Sequence, residues 1–408
     1  MHVVMFGDQH VESLGGAQVS MRLQRRFLER AGHTVTIVAP RMHGLRARAV
    51  ASDADVEASA YVDLPSIPIT ADREYSLSWP GRGIDRVVDA AMTARLPVDV
   101  VHVQADFWGA YIGHRFARRH GLPVVHTMHN RVDVGIEATA PFPALVMRAL
   151  NAWARRALGG PGLGSDGWAY LRRFGRLSRA VTAPSSHFAR RLEEHGVVPK
   201  VDVIWNGIDD DVLDSALAVS DGRDAERMPG RPRFVWLGRM SPEKRLLPFL
   251  EAVALSGIDA DVEIIGGGGQ VAAARRLVER LGPVASVRFS GRLPYIETLR
   301  RIAAADAVVQ TSIGFETQGM TVFEAASLGT PAVVSDPDIA AELGSGFWVV
   351  GDGSRADASV DALARTLRIA AEAIAAGEPV VPDPSIAERF RQSSRTAAMV
   401  EVYRRVAG

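Results

Sequence analysis

Cysteine is absent from this chain of 408 residues. Without thiols the protein forms no disulfides and has neither a thiolate nucleophile nor cysteine-ligated zinc, a composition compatible with a reducing cytosol. The formal net charge is +0, so the chain is not a basic protein of the kind that binds nucleic acid. No apolar run reaches the roughly 18 residues of a transmembrane helix. The start "MHVVMFGDQH" lacks the pattern of a signal peptide. We therefore expect a cytoplasmic protein.

Short β-branched runs alternate with amphipathic helical stretches along the chain. The first strand, helix and strand cover residues 2–7, 17–32 and 33–40, and this βαβ order predicts a parallel sheet. A second strand–helix series starts near residue 233. We predict an α/β fold with two doubly wound, Rossmann-like domains facing a cleft. The expected boundaries are an acceptor-side domain 1–210, a linker 211–231, a nucleotide-sugar-binding domain 232–385 and a C-terminal helix 386–408 that crosses back to the first domain.

Two glycines follow the first strand and precede a helix. Gly15 and Gly16 would let the backbone approach a ligand, and the helix N-terminus would offer free N–H groups to a phosphate. A flexible turn explains the same pair. The chain contains neither a Walker-type GxxxxGK[ST] nor a GxGxxG with its downstream acid, so a P-loop or a dinucleotide oxidoreductase site is not predicted.

Two cations and two histidines lie at predicted strand ends. In "GRMSPEKR" (238–245) Arg239 and Lys244 suit a diphosphate, although solvated surface cations are the alternative. In "VVHTMHN" (124–130) His126 could bind a sugar or phosphate, whereas a hydrogen-bonded core histidine is the alternative for both His126 and His129. A metal would need further ligands, which the sequence does not identify.

Two glutamates with seven residues between them occur in "GFETQGMTVFEAASLG". Glu316 falls in the loop after a strand, Gly319 and Met320 fall at a helix start, and Glu324 lies about one turn into the helix. Glycosidase carboxylates usually come from separate strands. This arrangement favours two hydroxyl acceptors on either side of a phosphate, one for a sugar ring and one for a ribose.

Taken in order, these motifs resemble the retaining glycosyltransferases of family 4, which have the GT-B fold. The resemblance covers essentially the whole chain and also includes "NGID" (206–209) and "FSGRLP" (289–294). It implies a nucleotide-sugar donor and catalysis with no obligatory metal and no other cofactor. The catalytic residues that it implies are His126, Arg239, Lys244 and Glu316. The donor-binding residues that it implies are Gly15, Gly16, Arg239, Lys244, Arg292, Leu293, Glu316, Gly319, Met320, Thr321 and Glu324.

The resemblance assigns a task to each group. Arg239 and Lys244 would hold the diphosphate, Glu316 the hexose and Glu324 the ribose. This chain reads "ETQG" where many members read Glu-Gly-Phe-Gly, and that variant resembles members that glycosylate diacylglycerol or related membrane lipids.

Residues 141–180 contain seven arginines and one acid, Asp166. Basic helices with interleaved aromatic residues suit an anionic membrane surface, while ordinary packing on a sheet is the alternative. The predicted membrane or acceptor residues are Arg148, Trp153, Arg155, Arg156, Arg172 and Arg173.

The sequence therefore predicts a hexosyltransferase with a UDP- or GDP-hexose donor and a lipid or glycolipid acceptor, peripheral on the inner face of the membrane. Two alternatives remain open. The acceptor could be a soluble polyol, phosphosugar or natural product, or the protein could bind nucleotide sugars without turnover.

Overall fold

The computed structural model describes residues 1–13, 16–43, 60–70, 73, 75–162, 164–220 and 231–408. The chain divides into two compact units, Met1–Gly207 with Arg395–Gly408, and Ile208–Ser394. Each unit contains a parallel sheet with helices between its strands. The predicted class, two doubly wound α/β domains, is confirmed.

The first unit is built on a seven-stranded sheet in the order β3-β2-β1-β6-β7-β8-β9, with β4 and β5 forming a short antiparallel hairpin. Its central strands are buried along their length, which explains why they read as continuous apolar runs. The strands are β1 His2–Gly7, β2 Thr34–Pro40, β3 Tyr61–Leu64, β4 Ile67–Pro68, β5 Ser76–Leu77, β6 Val100–Gln104, β7 Val124–Thr127, β8 Ala180–Ala183 and β9 Asp202–Val203.

The helices of the first unit alternate with these strands. They are α1 Gly16–Arg30, α2 Arg82–Thr93, α3 Trp108–His120, α4 Val132–Thr139, α5 Pro143–Leu158, α6 Gly167–Gly175 and α7 Ser186–Glu194. The last helix of the chain also packs here, since Met399 and Tyr403 join the core around Val3 and Met5. The hydroxyl of Tyr403 lies 2.7 Å from Nδ1 of the buried His102.

The second unit is built on a six-stranded parallel sheet in the order β12-β11-β10-β13-β14-β15. Its strands are β10 Arg233–Arg239, β11 Asp261–Gly267, β12 Ser286–Gly291, β13 Ala307–Gln310, β14 Ala332–Val334 and β15 Phe347–Val349. The helices from here to the C-terminus are α8 Asp210–Ser220, α9 Leu246–Ser256, α10 Val271–Leu281, α11 Tyr295–Ala303, α12 Met320–Ser327, α13 Pro337–Leu343, α14 Val360–Ala375, α15 Ser385–Arg389 and α16 Gln392–Ala407, with a 3-10 turn at Pro242–Lys244.

The predicted linker, 211–231, begins as a helix. The Asp209 carboxylate accepts a hydrogen bond from the Asp211 backbone N–H at 3.1 Å, and Leu213 and Ala216 are buried. The acidic residues Asp210 and Asp211 therefore form the first turn of α8. The rest of the predicted linker, 221–230, lies outside the described residues.

Strand order reverses direction once in each sheet. In the first unit the reversal falls between β1 and β6, and in the second it falls between β10 and β13. The connections leave these neighbouring strands in opposite directions, which opens a crevice at their carboxyl ends. We therefore expect functional residues in the loops that follow β1, β6, β10 and β13.

Glycine permits the close approach of α3 to β1. A Cβ at Gly109 would lie 2.4 Å from the carbonyl oxygen of Gly7, which is backbone and cannot rotate away. Only hydrogen fits at that position, and the contact fixes the start of α3 beside the end of β1.

We predict that Gly109→Ala destabilises the protein by about 2–4 kcal/mol, because backbone must shift to relieve the overlap. The matched control is Gly83→Ala in α2, where an added Cβ has open space and alanine favours the helix. Chemical denaturation should separate the two variants. Equal stability of both would contradict the proposed constraint.

Candidate functional site

The loops after β10 and β13 bring a lysine and a glutamate together. Nζ of Lys244, at the end of the 3-10 turn, forms an ion pair with Oε1 of Glu316. The Ser312 hydroxyl donates to the same oxygen at 2.8 Å. The two charged side chains are only 24% and 19% exposed, so their attraction is screened less than that of a surface pair.

Buried hydrogen bonds hold both loops. The indole N–H of Trp236 donates to the Thr311 hydroxyl at 2.9 Å, and this hydroxyl donates to the Lys244 carbonyl at 2.6 Å. The Asp336 carboxylate accepts from the Gly314 backbone N–H at 2.7 Å. The two loops are thus cross-linked through a single threonine, which fixes where the lysine and the glutamate meet.

The helix after Glu316 begins at a glycine that no other residue can replace without strain. Gly319 has φ 78°, in the left-handed region, and a Cβ there would lie 2.8 Å from Cδ1 of Ile339. The backbone N–H groups of Met320 and Thr321 open α12 and belong to its first turn, where helix N–H groups lack intrahelical acceptors. Such a start accommodates a phosphate or another anion.

Glu324 lies in α12 and is 6% exposed. It accepts a hydrogen bond from the Tyr295 hydroxyl at 2.8 Å. Burial raises the pKa of Glu324, and the bond from Tyr295 partly opposes that rise. Sequence reasoning missed Tyr295 and Ser312, although Tyr295 directly follows "FSGRLP" and Ser312 ends "DAVVQTS".

The remaining predicted donor residues of this unit lie at or just after the carboxyl ends of β10 and β12. Arg239 ends β10, is 67% exposed and pairs with Glu243 at 3.1 Å. Arg292 and Leu293 follow β12, with Arg292 exposed and Leu293 half-buried. The structure thus joins Lys244 directly to Glu316, while Arg239 pairs with Glu243 instead.

His126 is a core histidine. It is fully buried, its Nε2 donates to the Ala105 carbonyl at 2.9 Å, and its Nδ1 lies 3.1 Å from Nε2 of His114. Burial lowers the pKa of His126 well below its usual value, so the ring is neutral. Both nitrogens are occupied by protein, which corrects the prediction of a catalytic contact and supports the alternative interpretation.

Two buried carboxyl groups lie at the carboxyl ends of β1 and β6. Asp8 accepts from the backbone N–H groups of Asp106, Phe107 and Gly109 and so caps α3. Asp106 accepts from the Asn130 side chain at 2.6 Å, while its Oδ1 is buried without a hydrogen-bond partner among the described residues. Burial raises the pKa of Asp8 to about 6 and, with repulsion from Asp8, that of Asp106 to about 7.

The signal available in the sequence was an acid close behind an apolar strand: Asp8 directly follows β1, and Asp106 lies two residues beyond β6. Gly16 opens α1, whereas Gly15 lies outside the described residues.

Among the side chains that the structure describes, no group of three or more His, Asp or Glu could hold a metal ion.

Two of the predicted membrane arginines bind backbone instead. Arg173 is 4% exposed, and its guanidinium donates to the Gly159 and Pro161 carbonyls at 2.6 and 2.8 Å. Arg172 donates to the Gly196 and His195 carbonyls at 2.9 and 2.6 Å. Both groups hold loops together. The enclosed Arg173 does not face a membrane, whereas Arg172 stays partly exposed and its membrane contact stays a prediction.

The outer face of α5 remains basic and apolar. Arg148, Arg155 and Arg156 are exposed, and Leu145 and the preceding Phe142 are 65% and 69% exposed. The buried stripe of α5 is instead Met147, Asn151, Ala154 and Leu158. The helix turns Leu145 outward, away from this buried stripe.

An aromatic stack continues this face. Trp153 is half-buried, with its ring 4.6 Å from that of Tyr111 and 5.2 Å from that of Trp79, and Trp79 is 65% exposed. We call Trp79, Phe142, Leu145, Arg148, Arg155 and Arg156 the basic apolar surface. None of the described helices is long and apolar enough to cross a bilayer.

Two family models match the chain. The model described as Glycosyltransferase Family 4 matches residues 14–212, and the model described as Glycosyl transferases group 1 matches residues 223–378. An alpha-monoglucosyldiacylglycerol synthase from Streptococcus pneumoniae (strain ATCC BAA-255 / R6) is 24% identical over 356 residues, which are 82% of this chain and 70% of that protein.

Solved structures with similar folds confirm the predicted GT-B fold. Anabaena HepE in complex with UDP and glucose has a TM-score of 0.68 at 17% identity, covering 99% of this chain and 100% of HepE. The pneumococcal O-GlcNAc transferase GtfA in complex with UDP and GlcNAc has a TM-score of 0.65 at 11% identity, covering 100% and 99% of the two chains.

Ionisation of Asp106 should weaken the fold at neutral pH. Because its pKa is raised from 3.8 to about 7, its contribution to stability is present in acid and is lost as the pH rises through 7. Asp106→Asn keeps an oxygen that can accept from Asn130 but removes the charge. We expect this variant to gain about 1–3 kcal/mol over the wild type between pH 5 and pH 8.

Denaturation curves at several pH values would measure this gain. Asp361→Asn, at an exposed carboxylate in the first turn of α14, serves as the control and should follow the pH dependence of the wild type. If the stability of Asp106→Asn and that of the wild type depend on pH in the same way, ionisation of Asp106 does not destabilise the fold.

Proposed function

The chain belongs to the family 4 glycosyltransferases, and we propose that it moves a hexose from a UDP- or GDP-hexose to a hydroxyl of a membrane lipid or glycolipid. The observation that carries the proposal is the meeting of Lys244 and Glu316 beside the start of α12. There a cation, a hydroxyl acceptor and free helix N–H groups lie at one sheet edge, which are the groups that a sugar diphosphate needs.

The donor diphosphate would bind the cations. Lys244 would exchange its contact with Glu316 for a phosphate oxygen, and the exposed Arg239 would turn from Glu243 to the same group. The N–H groups of Met320 and Thr321 would bind the remaining oxygens. Because these donors are in place before the bond breaks, they would stabilise the negative charge that grows on the leaving diphosphate.

The carboxylates would hold the hydroxyls. Glu316 would accept from the hexose, with Ser312 keeping its side chain oriented, and Glu324 would accept from the ribose. The turn at Arg292 and Leu293 would meet the base through its backbone. In this arrangement the two glutamates bind and orient the donor rather than exchange protons with it.

Transfer with retention follows from a front-face attack. The acceptor hydroxyl oxygen would form a bond to the anomeric carbon on the side from which the diphosphate leaves, and its proton would pass to a leaving phosphate oxygen. The bond from the anomeric carbon to that oxygen breaks. This route uses no enzymic nucleophile and no metal, since Lys244, Arg239 and the helix start supply the positive potential. His126, buried and fully bonded, takes no part.

A lipid acceptor is favoured by two observations. The pneumococcal relative is a synthase whose name specifies a glucosyldiacylglycerol product, and the basic apolar surface combines exposed cations with exposed Trp, Phe and Leu side chains. Such surfaces bind anionic bilayers through apolar insertion and about 1 kcal/mol per basic residue. Peripheral attachment to the inner face of the membrane would bring the enzyme to a lipid substrate.

Glu316→Gln tests the donor site. We expect transfer from a UDP- or GDP-hexose to fall at least about 100-fold, because the amide cannot replace a charge-assisted contact to the sugar. Stability should fall by no more than about 1–3 kcal/mol, the cost of leaving Lys244 unpaired. Glu279→Gln, on the exposed face of α10, is the control. Wild-type turnover by Glu316→Gln would exclude the assignment.

Vesicle co-sedimentation tests the membrane contact. Reversing the charges at Arg148, Arg155 and Arg156 to Glu should abolish binding to vesicles of anionic phosphatidylglycerol and leave transfer to a detergent-solubilised lipid largely intact. The control reverses Arg276 and Arg280, which are exposed on α10. If wild-type protein does not sediment with these vesicles, or the triple variant still does, the surface has another role.

A further inference from the structure

A buried carboxylate is paired with an exposed tyrosine in the second unit. Oε1 of Glu324 accepts from the Tyr295 hydroxyl at 2.8 Å, and Oε2 has no hydrogen-bond partner among the described residues. Glu324 is 6% exposed, whereas Tyr295 is 41% exposed. The tyrosine therefore places its polar end against a buried charge while part of its ring meets solvent.

The position of Tyr295 follows from local structure. It is the first residue of α11, directly after the turn of residues 292–294 that leaves β12. Glu324 comes from α12, which starts on the far side of β10 in the sheet order. The bond thus joins the turn after β12 to the helix that follows β13, the two segments on which the proposed nucleotide contacts lie.

We propose that Tyr295 is a positioning residue for the nucleotide, which holds Glu324 so that its second oxygen accepts from a ribose hydroxyl. This inference rests on the proposed function, because it assumes a nucleoside diphosphate donor. It adds a residue that contacts the ribose-binding carboxylate rather than the transferred hexose. Its effect should fall on donor affinity, while the transfer step at saturating donor stays unchanged.

The bond also favours the charged form of the carboxylate. Burial is the largest influence on the pKa of Glu324 and raises it, while the bond from Tyr295 lowers it. Removal of the hydroxyl would leave burial unopposed, so the group would gain a proton at a higher pH. Donor binding that needs the carboxylate would then be lost at a higher pH than in the wild type. The ionisable neighbours facing the pair are Tyr295 itself and Asp209.

Tyr295→Phe is the decisive variant. We expect the Kd for UDP, measured by calorimetry at pH 7.5, to rise about 5- to 20-fold and the donor KM to rise with it, while kcat stays within about twofold. The acid limb of kcat/KM should move to higher pH. The preference of the wild type for UDP over 2′-deoxy-UDP should shrink, because the carboxylate is no longer fixed.

Tyr403→Phe is the matched control, since it removes a buried tyrosine hydroxyl from the first unit. It should alter stability and leave UDP binding and the pH profile unchanged. A double-mutant cycle supplies a second test: in a Glu324→Gln background, Tyr295→Phe should have little further effect on UDP affinity.

The outcomes separate this inference from the proposed function. If wild-type protein binds UDP and turns over a UDP-hexose, but Tyr295→Phe has the same affinity and pH profile, Tyr295 is structural and the inference fails alone. If Tyr295→Phe loses stability without a change in the KM-to-kcat pattern, the inference also fails. If the wild type binds none of UDP, GDP and ADP, the proposed function fails and the inference fails with it.

Discussion

The divergence of the chain between β10 and β13 is the constraint on which the candidate site depends. Both strands run parallel and adjacent, yet their connections leave in opposite directions, which opens a crevice at their carboxyl ends. Residues far apart in sequence, such as Lys244 and Glu316, meet there. The buried side chains of Trp236 and Thr311 then hold the two loops, through hydrogen bonds from the indole to the threonine hydroxyl and from that hydroxyl to the Lys244 carbonyl.

Packing, rather than local sequence, decides which arginines of the basic segment 141–180 are exposed. Arg172 and Arg173 look like their neighbours in a basic segment, but they donate to backbone carbonyls and stabilise loops. Arg155 and Arg156 lie in the preceding helix, α5, on its exposed face. Charge-assisted bonds to backbone carbonyls occupy these two guanidinium groups, whereas Arg155 and Arg156 are exposed and can act on something outside the protein.

In the core of the first unit, burial disfavours the charged form of histidine and aspartate side chains. Burial lowers the pKa of His126 and His114, and the same desolvation raises the pKa of Asp8 and Asp106. The histidines are thereby neutral hydrogen-bonding groups in a packed core. At the ends of β1 and β6, burial disfavours the charged form of both carboxyl groups, and the charge of Asp8 further disfavours the ionisation of Asp106.

By itself the sequence determined the class of fold, the series of strands, the glycine that starts α12 and the seven-residue spacing of Glu316 and Glu324, because strand pattern, positive φ and helix rise are local properties. Tertiary structure decided which groups are available. It enclosed His126, assigned Arg172 and Arg173 to carbonyls, turned Leu145 outward and placed Tyr295 on Glu324. Burial and hydrogen-bond partners depend on elements distant in the chain, so no local pattern encodes them.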